Sequence, residues 1–265
     1  MDLAESREPL DLPAVRTALD GDGWSWQSPV VVEDLTTVHD VLTRLSEPGS
    51  RDLSCVVLES WDGELSPFRG SDLPAGSALV VAVLVTELTD DAKTGWLPLV
   101  GALAAADALR NASRVPAEVL WPDVITVPGT KCGGDAGSLQ VGSVRVDGVD
   151  AGLVLTLVIA VGISSTDLPV GTSSIYSEGG SIDRSTILAT LLPELARRVD
   201  QWRSGDPALG ADYRERCQSL GRLTALPEGQ GMASGIDAAG GLVVTVDGVP
   251  ISISPPHRLH GIANA

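Results

Sequence analysis

The sequence predicts an α+β fold, with helices and strands interleaved over residues 1–220 and a small helix-free β-barrel over residues 221–265. Three observations carry this. The runs 78–85 and 151–163 are apolar almost throughout, as in strands covered on both faces. Ile187, Leu188, Leu191, Leu192, Leu195, Val199 and Trp202 recur on one side of a helix, with Pro193 inside it as an expected kink. After Arg222 the texture changes to short apolar segments separated by Pro227-Glu228-Gly229, Gly240-Gly241 and Asp247-Gly248, the spacing of a small barrel. The domain boundary is therefore expected near Gly221.

The elements follow in order. Residues 11–19 read as a short helix and residues 29–32 as a strand. Asp34, Thr36 and Thr37 offer caps to a helix carrying Val38, Val41, Leu42 and Leu45 on one face, and Glu47-Pro48-Gly49-Ser50 ends it. Residues 55–58 and 78–85 are strands flanking a loop rich in Gly, Pro, Ser and Asp. Helical periodicity spans 95–112, and residues 119–127 read as one strand around Trp121-Pro122. A Gly-rich turn, 129–137, leads to a strand over 139–146. Asp147-Gly148 is a hairpin signal that returns the chain antiparallel over 152–163. The amphipathic helix and a shorter one over 207–220 precede four strands at 223–226, 232–236, 242–246 and 250–253.

Composition bounds the function. The 265-residue chain is 43% hydrophobic but only 3% aromatic, so its core must be built from Val, Leu, Ile and Ala with six Trp as large anchors. Eighteen basic residues against 35 acidic ones give a formal charge of −17, which excludes the clustered positive surface that nucleic-acid binding needs. Cys55, Cys132 and Cys217 are too few and too scattered for a disulfide framework, and His257 and His260 lack a partner motif, so no metal site is expected. The start of the chain is charged rather than a signal peptide, and the run 151–163 is too short to span a bilayer. A soluble cytoplasmic protein without a membrane partner is expected.

Generic motifs fail on inspection. Gly133-Gly134-Asp135-Ala136-Gly137 lacks the Lys-Ser/Thr ending of a phosphate-binding loop. Gly231-Met232-Ala233-Ser234-Gly235 puts its Ser one place away from a nucleophile elbow, with no helix after it. Acidic residues are so numerous that spacing alone identifies no acid/base pair.

A family resemblance does emerge. Thr36-Thr37 stands before a helix, followed by Trp121-Pro122-Asp123, a Gly-rich turn, a hairpin and Val161-Gly162. Pro193-Glu194-Leu195, Gln201-Trp202-Arg203 and Ala211-Asp212-Tyr213-Arg214 then fall in one helical stretch. In this order and spacing the chain resembles the biotin protein ligases that lack an N-terminal DNA-binding domain, from about Pro9 to Ile262 and most strongly over 188–216. The resemblance implies a mixed-sheet catalytic domain shared with lipoate ligases, then an SH3-like C-terminal β-domain. It also implies ATP-dependent biotinylation of a lysine on a biotin carboxyl carrier protein or carboxylase subunit, through an acyl-adenylate and with Mg2+.

Each motif departs from the family pattern. Where the family has Ser-Thr-Asn for biotin's polar ring, this chain has Thr36-Thr37-Val38. The Gly-Arg-Gly-Arg adenylate loop corresponds to Gly63-Glu64-Leu65-Ser66, near Trp61, with only Arg69 close by. Lys-Trp-Pro-Asn-Asp becomes Leu120-Trp121-Pro122-Asp123. Gly-Gly-Lys becomes Gly133-Gly134-Asp135, with Lys131 displaced and Gly137 following, and the Asn after Gly162 and its neighbour is Ser164. By resemblance Lys131 and Asp123 are the catalytic candidates. Thr36, Thr37, Trp61, Gly63, Trp121, Pro122, Gly137, Gly162 and Ser164 are the candidates for binding biotin and ATP. Simpler roles stay open: helix caps for Thr36 and Thr37, packing for Trp121-Pro122 and Gly162, a solvated turn for Lys131. The eroded motifs predict an impaired or inactive ligase. Two alternatives stand beside it: a non-catalytic binding protein on the same fold, and a ligase for another acyl substrate such as lipoate.

Overall fold

The computed structural model describes residues 3, 7–20, 29–32, 38–47, 49–59, 68, 73–86, 91–129, 137–226 and 229–255. Seven strands form one mixed sheet: β1 (Val30–Val32), β2 (Cys55–Leu58), β3 (Ala78–Val85), β4 (Glu118–Leu120), β5 (Val124–Pro128), β6 (Ser138–Val149) and β7 (Gly152–Ala160). Their order is β1-β2-β3-β7-β6-β5-β4, with β1 and β2 parallel and every other pair antiparallel. The helices are α1 (Leu12–Asp20), α2 (Val38–Leu45), α3 (Leu97–Ala112), α4 (Arg184–Ser204) and α5 (Pro207–Arg216).

Alternation along the strands gives the sheet two apolar faces. Leu79, Val81, Val83, Leu155 and Leu157 pack under α1, α3 and α4. Val80, Ala82, Leu84, Val154 and Val158 face the other way, against Val41, Leu42 and Leu45 of α2 and the buried Phe68. Burial on both sides is why β3 reads as an unbroken apolar run. α3 is buried nearly all round, and it lies so close to β6 that a Cβ on Gly101 would stand 2.8 Å from a Val144 methyl. α4 runs continuously through Pro193, capped at its start by the Asp183 carboxylate and at its end by Gly205 at φ 69°.

Three local expectations shift. The stretch read as one helix from residue 95 is a 3-10 turn, Asp91–Trp96, followed by α3. Pro98 has no N–H to give an earlier helical turn and sits in the first turn instead. The stretch 119–127 is a hairpin, β4 and β5, turning at Trp121-Pro122-Asp123 across a cis Trp121-Pro122 bond. The β6–β7 turn falls at Asp150-Ala151, not Asp147-Gly148, because Val149 pairs with Gly152. Asp147 is fully buried within β6, where the Arg145 guanidinium grips both of its oxygens at 2.6–2.9 Å. That bond satisfies a carboxylate that a solvent-exposed turn would otherwise have carried.

The C-terminal segment forms β8 (Leu223–Leu226), β9 (Gly229–Ile236), β10 (Leu242–Val246) and β11 (Val249–Ile253), an antiparallel meander in the order β11-β10-β9-β8. It fits the small helix-free β-domain expected there. Asp247 and Gly248 both have positive φ, 50° and 82°, as a two-residue hairpin turn of the right twist demands. The meander docks on the main sheet through two indoles. Trp121 donates to the Gly240 carbonyl at 3.0 Å and Trp96 to the Ala238 carbonyl at 3.1 Å.

A buried cation ties the helices together. Arg198 on α4 is 4% exposed and donates to Asp107 on α3 at 2.6 Å, to Asp212 on α5 at 2.5 Å, and to Glu194 and Gln201 on its own helix at 2.8 and 3.0 Å. Burial alone would lower its pKa; the bonds to Asp212 and Asp107 more than offset that and raise it. Arg198→Ala would strand those carboxylates, so the urea midpoint should fall by the equivalent of about 3–5 kcal/mol. A loss below about 1 kcal/mol would show that water replaces the guanidinium.

Candidate active site

The described anchors of the motif segments gather at one end of the sheet. β1, β2 and β7 finish there, at Val32, Leu58 and Ala160, and β3 begins there at Ala78. β5 ends and β6 begins on the same side, where Pro128 pairs with Ser138. Gly129 then donates its N–H to the Gly137 carbonyl at 2.8 Å, closing the base of the Gly-rich segment. Thr36, Thr37, Trp61, Gly63 and Lys131 lie outside the described residues, as do Arg69 and Asp135.

Gly162 continues directly from β7. Its N–H donates to the Ser77 carbonyl at 2.8 Å, and its own carbonyl accepts from Arg7 Nε at 3.0 Å. Beside it Arg184, 5% exposed, donates to a Glu59 carboxylate oxygen at 2.8 Å and to the Glu8 carbonyl at 2.8 Å. This cluster of Arg7, Glu59 and Arg184 was not legible as a unit. Its members are up to 177 positions apart (184 − 7), and no local pattern marks them as neighbours. Within it the charge of Glu59 is met by Arg184.

Other candidates are committed inside the protein. The Ser164 hydroxyl caps a 3-10 turn, accepting from the Thr166 N–H at 3.3 Å. The Trp121 backbone N–H donates to Ser219 Oγ at 2.9 Å and its indole holds the meander. The Pro122 carbonyl accepts from the Tyr213 hydroxyl at 3.5 Å, and Tyr213 is fully buried with its ring edge-on to Trp96.

Asp123 ends this turn. Its carbonyl accepts from the Val144 N–H at 2.8 Å, fixing it to β6. Burial pushes its carboxyl up to about 6, so it exchanges a proton near neutral pH. Its charge in turn contributes to raising the Tyr213 phenol, after burial and Cys217. Cys55 is buried and its thiol is pushed up to about 12, which removes it as a nucleophile. Among the described residues no group of His, Cys, Asp and Glu could hold a metal ion. No helix among them is long and apolar enough to cross a membrane.

No model of a protein family matches the chain. A biotin–[acetyl-CoA-carboxylase] ligase of Mycobacterium tuberculosis is 30% identical over 270 residues, covering 96% of this chain and 97% of that protein. Among solved structures, the biotin protein ligase of Aquifex aeolicus in complex with biotin and ATP superposes with a TM-score of 0.68 at 16% identity, covering 87% of this chain and 96% of that one. A biotin protein ligase-like protein of unknown function from Silicibacter gives 0.65 at 14% identity, covering 86% and 94%.

The Asp123 environment has a signed consequence for stability. A carboxyl raised on folding imposes a penalty that is complete above its folded pKa and disappears below its unfolded one. Asp123→Asn should therefore stabilise the protein at pH 7.5 by on the order of 2–3 kcal/mol. The gain should shrink as pH falls through about 6 and be nearly gone at 3.8. Melting curves of both proteins across that window check it; a pH-independent difference would mean that Asp123 is not raised.

Proposed function

Because the chain belongs to the biotin protein ligase family, we propose that it recognises biotin, ATP and a biotin carboxyl carrier protein, with the adenylate-forming step strongly weakened. In that step a biotin carboxylate oxygen attacks the α-phosphorus of ATP and pyrophosphate leaves. A carrier lysine amine then attacks the acyl carbon, loses its proton, and displaces AMP. The first half brings two anions together, so cations aimed at the developing charge are its main demand.

The observation that carries this reading is the charge of the adenylate-loop stretch. Between Asp52 and Ala92 the sequence has one basic residue, Arg69, while Glu64 and Ser66 stand where the family pattern places arginines and Asp62 precedes them. Arg184 meets Glu59. One unit-charge contact at about 4 Å is worth roughly 4 kcal/mol at an effective dielectric near 20, and each 1.36 kcal/mol of barrier is about tenfold in rate. Lys131 supplies the remaining cation of the Gly-rich segment in this reading, and Asp123 takes up a proton near neutral pH. Thr36, Thr37, Trp61, Gly63, Gly137 and Gly162 line the ligand, whereas Trp121, Pro122 and Ser164, engaged elsewhere, serve the scaffold. Residues 1–220 act as the catalytic unit and 221–265 as the C-terminal unit.

Biotin affinity tests the reading directly. Val38 removes the amide that pairs with biotin's ureido group, and an unpaired buried polar group costs about 1–3 kcal/mol. Calorimetry should give micromolar or weaker binding, and Val38→Asn should tighten it by about tenfold or more. Sub-micromolar binding by the unmodified protein would overturn the proposal.

A further inference from the structure

After α5 the chain does not turn straight into the meander. Residues 217–219 run along β4, the outer strand of the seven-stranded sheet. Val119 bridges Cys217 in parallel, the Gln218 N–H donates to the Val119 carbonyl at 2.8 Å, and the Trp121 N–H donates to Ser219 Oγ at 2.9 Å. The backbone around Gln218 is thereby fixed, and its half-buried side chain lies beside Glu118, where β4 begins.

The Gln218 carboxamide is used at both ends. The Ser138 hydroxyl donates to its Oε1, and its Nε2 donates to the Glu118 carboxylate. A carboxylate only accepts, so the amide nitrogen turns toward Glu118 and leaves the oxygen for Ser138. Ser138 opens β6 and Glu118 opens β4, with β5 between them in the sheet. Gln218 therefore ties together two strands that do not pair with one another. Ser138 is also where the Gly-rich segment rejoins the sheet. Pro128 pairs with Ser138, the Gly129 N–H donates to the Gly137 carbonyl at 2.8 Å, and a Cβ on Gly129 would stand 2.5 Å from that carbonyl oxygen. The neck of the segment is narrow, and Gln218 holds its outgoing limb through Ser138. Lys131 follows Gly129 closely in the sequence, so a shift of the neck moves the point from which that cation is presented.

We propose that Gln218 is a positioning residue for ATP: its carboxamide, clamped between Ser138 and Glu118, sets the neck of the Gly-rich segment so that Lys131 meets the phosphates. This rests on the ligase reading. Gln218→Glu replaces a donor by an acceptor, so two carboxylates face each other and the clamp opens. Combining Gln218→Glu with Glu118→Gln restores the clamp with donor and acceptor exchanged, and Ser138 keeps its acceptor.

ATP titrated calorimetrically into the full-length protein tests this, with biotin titrated separately as the reference. At pH 7.5 Gln218→Glu should weaken ATP binding by at least about tenfold and leave biotin affinity within about twofold. The exchanged pair should return ATP affinity to within about threefold of the unsubstituted protein. At a pH of about 5, where one of two facing carboxyls takes up a proton, the loss in Gln218→Glu should shrink. In a Lys131→Ala background Gln218→Glu should weaken ATP little further, because Gln218 acts through that lysine. Ser138→Ala removes the other contact without adding charge and should weaken ATP by about threefold or more, which keeps the test valid if Gln218→Glu fails to fold. ATP affinity indifferent to Gln218→Glu and to Ser138→Ala, a loss that the exchanged pair does not repair, or an equal loss of biotin affinity would overturn the proposal. No ATP binding by the unsubstituted protein would instead overturn the ligase reading on which it rests.

Discussion

Arg198 is the constraint on which the arrangement of this protein rests. A guanidinium that is 4% exposed keeps its charge and must be met by carboxylates for its burial to be tolerated, and three helices supply them: Asp107 from α3, Glu194 from α4 and Asp212 from α5. With the helices fixed, α3 and α4 seal one face of the sheet. α5 then holds Tyr213 under the β4–β5 turn, where it meets Trp96 and the Pro122 carbonyl. Trp96 and Trp121 in turn hold the β9–β10 turn of the meander. At that contact Gly240 has φ 87°, and a Cβ would stand 2.6 Å from the Gly95 carbonyl oxygen. One satisfied charge thus leads by direct contacts to the placement of the C-terminal unit.

The stretch 188–216, where the sequence resembles the family most, is therefore the stretch that builds this scaffold. Glu194 and Asp212 serve Arg198, Arg203 pairs with Asp52 at 2.6 Å, and the Trp202 indole donates to the Lys93 carbonyl at 3.0 Å. Likeness there reports on how the chain folds. Fold alone does not supply chemistry. That separation lets a chain belong to a ligase family by its identity to a curated relative while the stretch that resembles the family's arginine loop carries Asp62 and Glu64.

What was legible in the sequence follows the range of the interactions. β2 and β3 were readable because both faces of the sheet are covered and their apolar runs have no polar interruption; α4 was readable from its apolar spacing, while its Asp183 cap emerged only in the structure. The β4–β5 hairpin was hidden because Val119 and Val127 are both buried and join into one apparent strand, with the turn marked only by Pro122. Asp147-Gly148 looked like a turn because a buried Asp needs a partner that local spacing does not announce, and Arg145 is that partner. Gly162, Ser164, Trp121 and Asp123 were singled out by motif. The motif did not say that Ser164 and Trp121 would spend their donors and acceptors inside the fold. Arg7 and Arg184 left no local signal, since their partners are set by the meeting of the N-terminal segment with α4.

The central claim is that the scaffold is intact while the cations needed for adenylate formation are reduced. Biotin-dependent exchange of labelled pyrophosphate into ATP measures that half-reaction without a carrier protein. With the Mycobacterium tuberculosis relative as the positive control, each 1.36 kcal/mol of lost stabilisation is about tenfold, so several lost or reversed charge contacts should place the rate at least about a hundredfold below it. Exchange within about tenfold of the control, abolished by Lys131→Ala, would contradict the account and show that this chain has rebuilt the site around a displaced lysine.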